Sequence, residues 1–340
     1  MNPGNSYRII VRAPNWLGDA VLATPVLKAL RERYRDAHIS LAARESVADC
    51  FLHNHAVDEI IKLPDRNSLG YWKKALKLKA GNYDMGILLP NSFNSALFFY
   101  AAGIRERIGY NRDCRRLLLT GPVKVTPDIK EAHQADYYLH ILNGKPHDRT
   151  PVWEIGPGEK EQAKKILNDV GATSRDNLIA LAPGARYGPA KRWFPERFAS
   201  LAAKLVDEYK AQILIFGTAA EKNVSRSIRE QVKANCADLT GKTNLRQLGA
   251  LLSLCKLLVT NDNGAMHVGC AVRTPTVALF GSTSPDRTKP AGCRNTVIYK
   301  KVPCSPCFEK KCRRGDYRCF DIITTREVLL ASRDMIKNAR

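Results

Sequence analysis

Residues 13–30, APNWLGDAVLATPVLKAL, carry the reading that decides the fold. Leu22, Val26 and Leu30 recur at four-residue steps with Ala23 and Leu27 beside them, so the run after Asp19 is expected to form an amphipathic helix with one buried stripe. The preceding residues 7–11, YRIIV, are short, apolar and β-branched, as in a buried strand. Asp19 therefore stands where a strand-to-helix loop meets a helix start, behind Gly18 and close to Trp16. A carboxylate there either caps the helix through a side-chain oxygen or does chemistry at the carboxyl end of a strand.

The same alternation continues outward. Residues 38–42 (HISLA) and 83–89 (YDMGILL) read as further strands. After a less regular region holding Pro146, Pro151, Gly156, Pro157 and Gly158, the pattern restarts with strands over 178–181, 212–216, 257–259 and 276–280 and helices over 196–208, 221–232 and 245–254. Strands alternating with helices imply parallel, doubly wound sheets, with ligands gathered outside the carboxyl ends of the strands. The fold class is α/β in two similar halves. The boundary is expected near Gly171, after a helix over 160–170, and the last helix, 326–336, is left open to either half.

A chain of 340 residues is longer than one core usually serves, which agrees with two halves. The N-terminus lacks a basic segment followed by an apolar stretch, and no run approaches the roughly 18 apolar residues of a membrane span. The whole chain is expected to stay in the cytoplasm with its ten cysteines mostly reduced. Lys and Arg number 54 against 33 Asp and Glu, a net charge of +21, which favours a polyanionic partner: nucleic acid, an anionic membrane or a phosphorylated substrate.

Several motifs are set aside. Thr240-Gly241-Lys242-Thr243 resembles the end of a phosphate-binding P-loop, but the glycine that motif needs earlier is Cys236. No GxGxxG follows the first strand of either half, and neither HExxH nor Asp-x-Asp occurs, so a nicotinamide dehydrogenase, a zinc hydrolase and a metal-bridged nucleotide-sugar site are disfavoured. Cys304, Cys307, Cys312 and Cys319 begin with CxxC spacing and lack a matching second pair, so they are read as reduced loop cysteines with a metal centre as the alternative. In residues 69–79, LGYWKKALKLK, aromatics beside Lys73, Lys74, Lys77 and Lys79 suit an anionic membrane interface, but the preferred reading is an ordinary surface helix resting Trp72 and Leu76 on its own domain.

Two loops of the second half carry the strongest signal. PGARYGPAKRW, residues 183–193, offers glycines for close backbone approach and the positive charge of Lys191 and Arg192. In TNDNGAMHVGCA, residues 260–271, Asn263 and Gly264 can open a helix whose free N–H groups favour an anion, with His267 one turn in. A plain cap by Asp262 or Asn263 is the alternative.

The segments NWLGDAVLATP, LLPNSFNSAL, RIGYNRDCRRLLLTGPV, PGARYGPAKRWFPERFA and TNDNGAMHVGCAVRTPTVALFGSTSPDRTKP together resemble, in order, the motifs of the ADP-heptose:lipopolysaccharide heptosyltransferases of glycosyltransferase family 9, and most of all the heptosyltransferase II branch. The resemblance implies a GT-B architecture of two Rossmann-like domains facing a central cleft. The acceptor would bind 1–171 and ADP-heptose 172–325, with 326–340 a C-terminal helix that could pack back on the first domain. It implies inverting, metal-independent transfer of L-glycero-D-manno-heptose from ADP-heptose to the first heptose of the inner core, with no cofactor.

Carried over by position, Asp19 matches the general base and Lys191 the lysine of the donor diphosphate. Gly184, Arg192, Thr243, Asp262, Asn263, Gly264 and His267 fall around the donor, and Glu221 on its ribose. Trp16, Gly18, Asn91 and Ser92 fall on the acceptor side. Asn263 stands where the family is expected to carry Ser or Thr, and its amide can still donate a hydrogen bond. The expected partners are ADP-heptose, a lipid-linked core acceptor and an anionic membrane surface, not nucleic acid, with the enzyme peripheral on the cytoplasmic face of the inner membrane. The alternatives are a family member acting on another core position, and a non-catalytic nucleotide- or nucleic-acid-binding protein.

Overall fold

Ile9, Ile10 and Val11 are fully buried on β1 (Arg8–Arg12), an inner strand of a six-stranded sheet. A strand so rich in β-branched residues suits a sheet covered on both faces. The computed structural model describes residues 7–142, 148–173, 176–232 and 235–337, so Pro146 lies outside the described residues. After β1 come β2 (His38–Arg44), β3 (Glu59–Leu63), β4 (Met85–Leu88), β5 (Glu106–Tyr110) and β6 (Gly121–Val123). They are parallel in the order β3-β2-β1-β4-β5-β6.

A second sheet holds β7 (Asn177–Ala182), β8 (Ala211–Ile215), β9 (Cys236–Asp238), β10 (Leu257–Asn261), β11 (Thr276–Phe280) and β12 (Asn295–Tyr299). Its order, β12-β11-β10-β7-β8-β9, is also wholly parallel and repeats the first read from the other edge. This is the Rossmann-like doubly wound order. Its direction reverses between β1 and β4 in the first sheet and between β7 and β10 in the second, and ligands bind at such switch points beyond the strand carboxyl ends.

Three expectations need correction. The helix does not start after Asp19: it spans Leu17–Leu22, with Trp16 in the capping position and no side-chain cap. Asp19 is thus inside the first turn and is not the N-cap. A second helix, Thr24–Arg33, follows at once, because Pro25 has no N–H to continue the ladder; Leu22, Val26 and Leu30 are buried as the period requires.

The chain divides into compact units at Met1–Glu154 and Ile155–Arg340, ahead of the boundary expected at Gly171. The helix Pro157–Asp169 belongs to the second unit because it packs on the helix Leu245–Leu254. Arg246 Nε there meets Glu159 Oε1 at 2.7 Å in a nearly buried ion pair.

The C-terminal helix, Thr325–Lys337, also lies in the second unit rather than back on the first. It buries Val328, Leu329 and Met335 among Phe198, Leu201 and Leu205. Arg333 Nη2 reaches Glu208 at 2.7 Å from the same helix. Residues 338–340 lie outside the described residues. Cys270 and Cys293 are joined as a disulfide, and the other eight cysteines are free, so the expectation of mostly reduced thiols needs amending only for this pair.

Candidate active site

Loops at the switch point of the first sheet carry the residues expected on the acceptor side. β1 leads through residues 13–16 to Asp19, which is half-buried, and β4 leads to Asn91 and Ser92. Arg12, buried at the end of β1, donates through Nη1 to the Ala42 carbonyl at 3.3 Å and through Nη2 to Asn15 Oδ1 at 2.8 Å, fixing the loop that carries Trp16 and Gly18. Arg115, fully buried, does the same for the β4 loop: it donates to the Pro90 carbonyl and to Ser95 Oγ at 3.2 Å. Burial lowers its pKa to about 10.

Neither the period nor the motifs singled out the helix Gln134–Leu139, yet it supplies both partners of this site. Tyr138 Oη donates to Asp19 Oδ1 at 2.9 Å, and Asn91 Nδ2 donates to Tyr137 Oη at 2.9 Å. Burial, and then the neighbouring Asp19, raise the Tyr138 pKa well above that of an ordinary phenol, so Tyr138 keeps its proton and remains a donor. Asn91 Oδ1 is buried with no hydrogen-bond partner. Ser92 Oγ caps the helix Phe93–Ala101 by accepting from Ser95 N, so the capping duty occupies it. Trp16 is 58% exposed.

The second switch point gathers residues expected on the donor side. Lys191 Nζ lies 2.5 Å from Asp262 Oδ2, which also accepts from Thr283 Oγ1 at 2.7 Å. Asp262 is therefore the counter-ion of Lys191, a pairing that sequence reading missed. Gly264 opens the helix Gly264–Ala271, and His267 is buried in it.

Asn263 departs from expectation. Its Oδ1 caps that helix through Met266 N, while Nδ2 donates to the carbonyls of Ala182 at 3.0 Å and Gly184 at 2.8 Å. Both amide hydrogens are engaged inside the protein, so the amide is not left to donate to a ligand. Arg192 likewise turns onto its own loop, donating through Nε and Nη2 to the Ala185 carbonyl. Thr243 is half-buried beyond β9, just before the cap of the helix Leu245–Leu254. Nearby Thr240 Oγ1, in the segment set aside as a P-loop resemblance, is buried without a partner.

Glu221 closes the site from the end of β8. Its Oε2 accepts from Thr218 N at 2.7 Å and from Thr218 Oγ1 at 2.9 Å. A Cβ at Gly184 would stand 2.1 Å from Glu221 Oε1, so glycine is what admits the carboxylate here. Because Thr218 holds that carboxylate from the other side, Gly184→Ala is expected to displace it and to weaken binding of ADP, the nucleotide that the sequence resemblance implies, about tenfold or more, the scale of one hydrogen bond to a charged group. Calorimetric titration of ADP checks this, and unchanged affinity would place the nucleotide elsewhere.

Two parallel, doubly wound sheets, each with polar loops at its switch point, are the framework of the GT-B glycosyltransferases, and this protein is a glycosyltransferase. The model of the family described as glycosyltransferase family 9 (heptosyltransferase) matches residues 71–318, and the chain belongs to that family. Lipopolysaccharide heptosyltransferase 2 of Escherichia coli (strain K12) is 32% identical over 314 residues, covering 86% of this chain and 87% of that protein. The structure of E. coli ADP-heptose lps heptosyltransferase II matches with a TM-score of 0.83 at 30% identity, over 97% of this chain and 98% of that one. The crystal structure of the glycosyl transferase family 9 from Veillonella parvula DSM 2008 matches with a TM-score of 0.85 at 27% identity, over 97% of both chains.

Proposed function

We propose that the protein transfers L-glycero-D-manno-heptose from ADP-heptose to the first heptose of the lipopolysaccharide inner core, inverting the anomeric carbon and using no metal in the chemistry. The observation that carries this reading is the nearly buried Lys191–Asp262 pair beside the Gly264 helix terminus. A cation and free backbone N–H groups there suit a diphosphate. Asp262 is already engaged by Lys191 and Thr283, and is thus poorly placed to hold a metal bridge. The relatives, a lipopolysaccharide heptosyltransferase 2 and an ADP-heptose lps heptosyltransferase II, support the sugar and the nucleotide.

In this reading Asp19 takes the proton from the acceptor hydroxyl as the oxygen bonds to the anomeric carbon and ADP leaves from the opposite face. Lys191 and the helix terminus stabilise the charge gathering on ADP, and Glu221 holds the ribose through Oε1. Asn91 Oδ1 offers an unanswered acceptor for a sugar hydroxyl. Asp19 lies in a first turn and accepts from Tyr138, and both stabilise its carboxylate and weaken it as a base. Deprotonation is therefore late, when the attacking oxygen has become acidic. The deciding test is mass spectrometry of the product from ADP-heptose or ADP-glucose with defined truncated cores. Heptose added to a core ending in one heptose is expected; addition only elsewhere, or only of glucose, would overturn the reading. Added Mg2+ or Mn2+ should not raise the rate.

The lipid-linked acceptor also gives the basic charge a purpose, and the reading places the enzyme on the cytoplasmic face of the inner membrane, with no nucleic acid as partner. Among the described residues no helix is long and apolar enough to cross a membrane. The helix Leu69–Lys79 rests Tyr71, Ala75 and Leu78 on its own unit, while Leu69 and Leu76 are 79% and 64% exposed beside Lys73 and Lys77. Exposed leucines among lysines favour an interfacial role. Changing Lys73, Lys74, Lys77 and Lys79 to Gln should weaken binding to anionic vesicles steeply, at about 1 kcal/mol per residue, and leave ADP affinity unchanged. Vesicle binding equal to that of the parent would move the docking face elsewhere.

A further inference from the structure

Between β12 and the helix Arg318–Asp321, residues 300–317 form neither helix nor strand. Loops this long without structure of their own are uncommon in compact domains and are usually functional. Little apolar packing secures this one: Val302 is buried, but Phe308 is 45% exposed. The loop nevertheless presses on the segment that carries Lys191. Ala190 N donates to the Lys310 carbonyl at 3.1 Å, and Tyr187 Oη donates to the Phe308 carbonyl at 2.6 Å. A Cβ at Gly188 would stand 2.2 Å from Lys310 O, so the two backbones lie in direct contact. Cys304, Cys307, Cys312 and Cys319, together with Ala190, line one cavity of about 250 Å³.

We propose that these four cysteines are a tetrathiolate site for a thiophilic divalent metal of the zinc type, which fixes the loop and, through it, the segment 187–191. Among the described residues no three His, Cys, Asp or Glu side chains stand at ligand spacing. All four cysteines line the cavity, and binding would draw their sulfurs together to the Zn–S distance of about 2.3 Å. On binding, four thiols release four protons and no electron moves. Arg313 pairs with Glu309 and Arg314 with Asp316, so Lys310, Lys311 and Arg318 of the same segment offset the resulting site charge of −2.

The metal would be structural and not part of the transfer chemistry, and its binding needs no assumption about the sugar.

The test uses the full-length protein purified under reducing conditions. About one zinc or iron per chain is expected by elemental mass spectrometry. Removing it with a mercurial reagent and refilling with Co2+ should give the d–d bands of tetrahedral tetrathiolate cobalt. Cys307→Ser and Cys312→Ser should each lose the metal, with circular dichroism confirming that they fold. If neither folds, the cobalt titration of the parent protein decides alone. Protein free of metal that gives no cobalt spectrum, or intact-mass data showing these cysteines paired as disulfides, overturns the site. ADP affinity should fall several-fold on metal removal and return on refilling; an affinity that does not move while metal is lost would overturn the positioning role. The metal readouts stand whether or not ADP-heptose is the donor.

Discussion

Asp19→Asn is expected to lower transfer by about 10²- to 10⁴-fold, the usual contribution of a positioned general base, and to leave ADP affinity as it was. The substitution is clean because of where Asp19 lies. It is inside the helix Leu17–Leu22 and does not cap it, so no capping bond is lost with the charge. Tyr138, which keeps its proton, can donate to the Asn oxygen as it does to Asp19 Oδ1, so the side chain should hold its place. What disappears is the ability to accept a proton. The rate at saturating donor and acceptor, measured beside ADP calorimetry, separates the two properties. Transfer within a few-fold of the parent would remove Asp19 from the chemistry.

Lys191→Ala should weaken donor binding and slow transfer together. Loss of a charge-assisted bond to the diphosphate costs about 1.5 to 3 kcal/mol, roughly ten- to more than a hundredfold in affinity. The structure adds a second penalty. Without Lys191, the Asp262 carboxylate stays buried with Thr283 as its hydrogen-bond donor, facing an incoming dianion. Breaking a buried pair from one side commonly costs about 3 to 5 kcal/mol of stability, so the melting temperature should fall as well. Adding Asp262→Ala should then recover part of both losses, since the uncompensated carboxylate is gone. A double mutant worse than Lys191→Ala by the full cost of the Asp262 change would mean that the two residues act separately.

The switch-point loops were legible because β1, β4, β7, β10 and β11 are short apolar runs and the polar residues follow directly at their carboxyl ends. The sheet edges were not. In β3 Glu59 and Lys62 are exposed, and β12 is half-buried throughout. Edge strands carry polar residues that blur the signal. Tyr138 was hidden for another reason: buried aromatics in QADYYL look like core, and nothing local says that one phenol meets a carboxylate far back in the chain. The Lys191–Asp262 pair was missed similarly. Both residues were singled out, each as a separate ligand for the donor, because a loop read alone shows its charges but not their counter-ions. The boundary near Gly171 failed because a helix's period shows that it has a buried face and not which sheet it covers.

Asn263 has a thermodynamic consequence. One side chain caps the helix Gly264–Ala271 and holds the carbonyls of Ala182 and Gly184. Serine or threonine could make the cap but has too few donors for both carbonyls. The loop after β7 and the helix start are thus one rigid body before any nucleotide arrives. The ordering entropy that a mobile phosphate loop loses when its ligand binds has here been lost during folding. ADP association should accordingly carry a small entropic penalty, and its departure should be set by the strength of the contacts themselves and not by the opening of a loop.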